Sequence, residues 1–256
     1  MARPEFWSPA IGKQGGVGIL ISSNFDGNVL SWVKDSSGRV VSVLIEFAGF
    51  RVNLVNIYAP TNLTERKAFF ADLHHFFIPA DGLILGGDFN CYESDLDKFG
   101  GNVSLASYFS EFHSAFNLVD IWHKQHRRQR EMSWFNSNLI IGSRLDKYLL
   151  SSKLVDLPGA CDIMPCCLSD HDYVNLVIDF SNSTPRGPGI WKFKIPCFRT
   201  TFFVIICQIV LLIYLRVYHP LTLSSCGGIF LKPPLRQMLF HSPNLSVGNL
   251  VVSTWF

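Results

Sequence analysis

Leu83-Ile84-Leu85-Gly86-Gly87-Asp88-Phe89-Asn90 reads as a short buried strand that runs into two glycines and then offers a carboxylate and a carboxamide at alternate positions. Residues i and i+2 of a strand share a face, so Asp88 and Asn90 are expected to project together from its end. Gly86 and Gly87 leave room for a ligand's backbone or phosphate to come close. The same residue types also build turns, and the stretch by itself leaves both readings open.

The chain around it has 256 residues, enough for one large domain or two small ones. Its net charge of +2 implies no partner. With 14% aromatic residues and only 16% charged ones, a wholly disordered chain is excluded. Seven cysteines form no CxxC pair, and the odd count leaves at least one unpaired. Met1 to Trp7 lacks the apolar core of a signal peptide, so the thiols read as reduced and the protein as intracellular.

Strands dominate the first part. Gly16–Ser22, Val29–Val33 and Arg39–Phe47 are apolar and β-branched, and Val41, Val43, Ile45 and Phe47 alternate as in a half-buried strand. Asp35-Ser36-Ser37-Gly38 is a turn, and Phe50–Tyr58 is a further strand stopped by Ala59-Pro60. Such a meander points to an antiparallel or mixed sheet. A helix follows, with Asn62 and Glu65 as a capping pair and Phe69, Leu73, Phe76 and Phe77 on one face up to Pro79. Adjacent His74 and His75 point in different directions, which suits a solvated position better than a shared metal. A second helix is expected around Leu105–Phe116, with Phe109, Phe112 and Phe116 on its inner side.

Later, His126-Arg127-Arg128-Gln129-Arg130 is a basic cluster that suits either phosphates or solvent. Ser133-Trp134-Phe135 and Ser143–Ser151 read as strands. Asp146 opens an apolar alternation, and a buried carboxylate needs a cationic or donor partner. Leu168-Ser169-Asp170-His171-Asp172, just before the strand Tyr173–Phe180, supplies a plausible one. A histidine backed by a buried aspartate has a fixed orientation and a stabilised charged form. Asp170 beside it is a candidate hard-cation ligand, although an acidic surface turn would read the same way.

Asn56-Ile57-Tyr58-Ala59-Pro60, Gly87-Asp88-Phe89-Asn90, Arg144-Leu145-Asp146 and Ser169-Asp170-His171 occur in that order, each at a strand end or edge. This series resembles the endonuclease/exonuclease/phosphatase family, which has the deoxyribonuclease I fold. Within it the likeness is closest to the endonuclease domain of LINE-type non-LTR retrotransposons. Gly187-Pro188-Gly189-Ile190-Trp191-Lys192-Phe193 is similar to the segment that follows that domain in such polyproteins. The resemblance covers residues 7–194.

The resemblance implies an α+β fold, a four-layer α/β/β/α sandwich of two mixed sheets with a cleft at one end. It also implies cation-assisted phosphodiester hydrolysis with Mg²⁺, or Mn²⁺, and DNA as the substrate. Asp88 would activate the attacking water and Asn90 would position it. His171, oriented by Asp146, would stabilise charge on the phosphoryl group, and Tyr58 would hydrogen-bond the same phosphate. Asn56, Arg144 and Ser169 would bind phosphate or support the site, and Asp170 would contribute to the metal. An anionic diester resists attack unless its charge is neutralised and its leaving group stabilised, and these side chains suit that task.

The family's opening strand and helix, with the Glu that is its principal metal ligand, have no counterpart before Gly16. The expectation is therefore a domain over 1–181 incomplete at its start, a linker over 182–194 and a poorly structured apolar tail over 195–256. Residues 202–215 form one apolar run, short for a membrane span and interrupted by Gln208. Two functions follow. One is a DNA-nicking endonuclease acting in the nucleus. The other is an inactive remnant that binds nucleic acid or attaches to membrane through 202–215. No protein partner is expected.

Overall fold

The computed structural model describes residues 5–12, 15–22, 24–167 and 169–180, together with the strands at 205–210 and 249–255. Strand β1 (Glu5–Ser8) pairs antiparallel with β2 (Val17–Leu20). The meander that follows is β3 (Asn28–Lys34), β4 (Val40–Phe47) and β5 (Phe50–Tyr58), all antiparallel. Its turn at Asp35 is tied by that carboxylate, which accepts from the backbone N–H groups of Ser37, Arg39 and Val40. β4 is buried on both faces rather than one: Val41, Val43 and Ile45 enter the core between the sheets, and Val40 enters a second core beneath the helices.

Helix α1 (Leu63–Asp72) starts at Asn62, whose side-chain oxygen accepts from Thr64 N–H and Glu65 N–H, two donors the first turn would otherwise leave unpaired. It continues as a 3₁₀ turn, Leu73–Phe76. Its inner face centres on Leu73, as expected, and on Phe70, one position from the expected Phe69. Then come β6 (Gly82–Asp88), β7 (Lys98–Phe99), α2 (Ser107–Ala115), β8 (Leu118–Asp120), α3 (Ile121–Gln125), β9 (Trp134–Phe135) and β10 (Gly142–Ser143). β11 (Asp146–Ser151), β12 (Pro158–Met164), β13 (Tyr173–Asp179), β14 (Ile205–Val210) and β15 (Asn249–Trp255) complete the order.

Two six-stranded sheets result. The first runs β3-β4-β5-β6-β11-β8 and is mixed, because β5 and β6 are parallel. The second runs β1-β2-β14-β15-β13-β12 and is also mixed, because β14 and β15 are parallel. Val17, Ile19, Val174, Leu176 and Ile178 of the second sheet pack into one core with Val43, Ile45 and Leu54 of the first. On the other side of the first sheet, Phe70, Phe109 and Phe112 of α1 and α2 meet Val55, Leu85, Phe89 and Leu149. Phe109 and Phe112 are core as expected, Phe69, Phe76 and Phe77 are partly buried against it, Phe116 is exposed, and the molecule is the α+β sandwich expected.

β14 and β15 both fall within 195–256, the stretch expected to be poorly structured. β14 takes up the middle of the apolar run 202–215. Among the described residues no helix is long and apolar enough to cross a membrane. The segment 187–193 lies outside the described residues.

Arg144 sits between β10 and β11, fully enclosed. Its Nε donates to Asp97 Oδ1 at 2.6 Å and its Nη2 to Asp120 Oδ2 at 2.5 Å, and it lies over the Trp122 ring. Burial alone would weaken its hold on the proton, but the two carboxylates raise its pKa. The same pairing brings the 3₁₀ turn Asp95–Asp97, the end of β8 and the start of β11 to one point. Replacing Arg144 with Met should leave buried Asp120 without its cation and Asp97 with only His123, 2.9 Å away, and lower stability by about 3–5 kcal/mol. Urea unfolding measures this, and an unchanged midpoint would show that the pairing does not hold the fold.

Candidate functional site

The site begins where three strands of the first sheet end together. Tyr58 on β5 lies opposite Asp88 on β6, and Asp88 lies opposite Asp146 on β11. Two carboxylates are thereby set side by side in the interior, Asp88 at 2% exposure and Asp146 at 0%. Like charges in a desolvated place raise proton affinity. Burial first, and Asp146 second, push the Asp88 pKa up to about 7.

His171 offsets this charge. Its Nδ1 lies 2.9 Å from Asp146 Oδ2, bringing the loop before β13 of the second sheet onto β11 of the first. Burial disfavours the imidazolium, but the Asp146 carboxylate outweighs it and raises the His171 pKa to about 9. The His171 backbone N–H donates to Ser169 Oγ at 3.0 Å, which shapes the turn that delivers the ring. Asp170 is exposed at the rim, where Trp134 Nε1 donates to its Oδ2 at 3.1 Å.

Asn90 does not project beside Asp88 from a common strand face. β6 stops at Asp88, and Asn90 adopts φ 49° and folds back. Its backbone N–H donates to Asp88 Oδ1 at 2.8 Å and its side-chain amide to Asp88 Oδ2 at 2.9 Å and Ala59 O at 2.9 Å. The carboxamide therefore fixes the carboxylate. The glycines also differ from expectation. A Cβ at Gly87, where φ is 139°, would lie 2.1 Å from Ile57 O, and one at Gly86 would strike the Tyr148 ring. Their space is taken by the neighbouring strand and a packed ring, so they allow β5, β6 and β11 to approach rather than admitting a phosphate.

Asn56 is buried, and its amide donates to Gly18 O of β2 at 3.1 Å, a tie between the two sheets. Tyr58 is half-buried, and burial and then Asp88 raise its pKa. Arg144 was expected to bind phosphate or support the site. Its enclosure between Asp97 and Asp120 removes the first role, because no substrate reaches it. Arg127, Arg128 and Arg130 stay exposed on the loop after α3.

Four residues that sequence reasoning missed shape the site. Ser133 Oγ accepts from the backbone N–H groups of Leu145 and Asp146, both at 3.0 Å, while Ser133 O accepts from Asp172 N–H at 2.7 Å. One buried serine thus sets both members of the Asp146–His171 pair, and Trp134 beside it bridges to His171. Lys147 is fully buried, with Nζ donating to Cys91 O at 2.8 Å and Arg144 O at 2.5 Å. Its charge favours the ionised form of Asp88. A lysine inside Asp146-Lys147-Tyr148-Leu149-Leu150 was a signal, since a charge amid an apolar run demands a partner; Ser133 carried none. Arg39, over the Tyr58 ring at 5.5 Å, adds positive charge at the rim.

Among the described residues no three His, Cys, Asp or Glu side chains gather as a metal cluster. The donors present are oxygens, and Asn56 Oδ1 and Asp146 Oδ1 are buried without a hydrogen-bond partner. An oxygen set with excess carboxylate charge fits a hard dication, which commonly takes one or two carboxylates and completes its shell with water and substrate phosphate.

No family model matches the chain. It is 32% identical over 189 residues to a protein of transposon TX1 from Xenopus laevis, covering 70% of this chain but only 14% of that protein. Among solved structures it superimposes on a 3′-5′ exonuclease from Neisseria meningitidis with a TM-score of 0.56 and 18% identity, covering 67% of this chain and 78% of the other. A 3′ phosphatase form of the Neisseria enzyme, bound to a product DNA hairpin, aligns with the same score. The endonuclease domain of the telomere-specific non-LTR retrotransposon TRAS1 aligns at 0.50 with 16% identity, covering 66% and 77%. The chain therefore shares the deoxyribonuclease I-like fold of these nucleases, and a transposon protein is among its sequence relatives.

Proposed function

We propose that the chain is a phosphodiester hydrolase of transposon origin that nicks DNA with the help of a divalent cation. The observation that carries this reading is the meeting of Asp88, Tyr58 and the Asp146–His171 pair at one end of adjacent strands. A diester is anionic throughout its cleavage, so the catalyst must offer positive charge to the phosphoryl oxygens and a base to the attacking water.

His171, held as an imidazolium by Asp146, meets the first need. Asp88 meets the second: a carboxylate whose pKa lies near 7 is ionised in part at neutral pH and still basic enough to accept a proton from water. Asn90 keeps that carboxylate in one orientation. Tyr58, its pKa raised, stays protonated and donates to the phosphate. As water oxygen bonds to phosphorus, its proton passes to Asp88, the bond from phosphorus to the 3′ oxygen breaks, and that oxygen takes a proton from solvent, leaving a 3′-hydroxyl and a 5′-phosphate. Asp170 is the carboxylate that would hold Mg²⁺ or Mn²⁺. When bound, the cation supplies charge neutralisation at the phosphate and favours ionised Asp88.

Supercoiled plasmid incubated with Mg²⁺ should be nicked, and Asp88→Ala or His171→Ala should lower the rate by roughly 10²–10⁴-fold. Salt-dependent plasmid binding with no nicking by the unaltered chain would identify it instead as a remnant that binds nucleic acid. The pH profile should be bell-shaped. Activity rises as Asp88 ionises with its pKa of about 7, and falls above about 9 as His171 loses its proton. Bound cation moves the rising limb to lower pH. A profile flat from pH 6 to 10 would contradict both assignments.

A further inference from the structure

We propose that β14 and β15 close the second sheet by tying β2 to β13, and that the candidate site depends on this closure. In the sheet order β1-β2-β14-β15-β13-β12, these two strands carry the backbone pairing from the β1-β2 pair to the β13-β12 pair. Without them, β2 and β13 would each present a row of unpaired backbone N–H and C=O groups while their Val17, Ile19, Val174, Leu176 and Ile178 side chains stayed in the core. A half-buried open edge of that kind demands a strand.

The sequence supplies strands of the right kind. Ile205-Ile206-Cys207-Gln208-Ile209-Val210 and Leu250-Val251-Val252 are rich in the β-branched residues that favour extended backbone. β15 pairs antiparallel with β13 from Asn249 opposite Asp179 to Thr254 opposite Val174. β14 pairs parallel with β15 along its whole length and reaches β2 through Gln208 opposite Leu20. A parallel neighbour needs a crossover of a dozen residues or more, and positions 211–248 provide that length.

Both strands that they join lead to the site. β13 starts at Tyr173, two residues after His171, and the end of β15 at Thr254 arrives beside that start. β2 carries Gly18, whose carbonyl accepts from Asn56, two residues before Tyr58. Closure by β14 and β15 therefore holds the histidine loop and the Asn56–Tyr58 strand end in one frame.

Hydrogen–deuterium exchange on the full chain tests the proposal. In the unaltered protein, amides of 205–210 and 249–255 should exchange slowly. In Val251→Pro, and in a chain ending at residue 248, amides of 173–179 should exchange about tenfold faster or more while 50–58 keep their protection. Exchange of 249–255 at the rate of a free peptide in the unaltered protein would overturn the proposal, as would unchanged 173–179 in both variants. If either variant loses protection everywhere, the unaltered protein's 249–255 amides decide the matter alone. Light scattering should give a monomer. A dimer with protected 249–255 would mean that a second copy fills the sheet, and would overturn closure within one chain.

Discussion

Everything at this site follows from placing Asp88 and Asp146 opposite each other on neighbouring strands, both out of water. Two such carboxylates cannot both remain charged without compensation. His171 provides it from the other sheet, at 2.9 Å from Asp146, and Lys147 provides more from beneath. The result is one firmly paired aspartate and one whose proton affinity is raised. That asymmetry suits the hydrolysis proposed above, which calls for a fixed positive group and a base poised near neutrality.

The compensation is held by parts that never touch the cleft. Ser133 fixes the backbone of Asp146 and, through its carbonyl, the loop carrying His171. Arg144 joins Asp97, Asp120 and the start of β11 in an enclosed ion network. Asn56 spends its amide on β2 rather than on substrate. Rigid neighbours of this sort decide whether a reacting group stays within a fraction of an ångström of its working position.

Much of this was legible in the sequence, because the signals were local. Strand alternation in 39–47, the Asn62 cap and the stop at Pro60 each reflect short-range physics, and the ordered motifs pointed to the fold. Pairing of Asp146 with His171 followed from the cost of a buried carboxylate. Other features were not local. Gly86 and Gly87 looked like space for a ligand, but the space belongs to Ile57 and Tyr148, which only the packing of β5 and β11 reveals. Arg144 looked like a phosphate contact because its two carboxylate partners lie 47 and 24 positions away. The strands at 205–210 and 249–255 were hidden by a stretch with no sustained period.

The central claim is that Asp146 holds His171 as a cation beside Asp88, and titration of the His171 ring by NMR tests it most directly. The account predicts an imidazolium that persists through pH 8 and titrates at about 9, falling toward the ordinary histidine range when Asp146 is replaced by Asn. A ring that titrates near 6.5 in both proteins would contradict it.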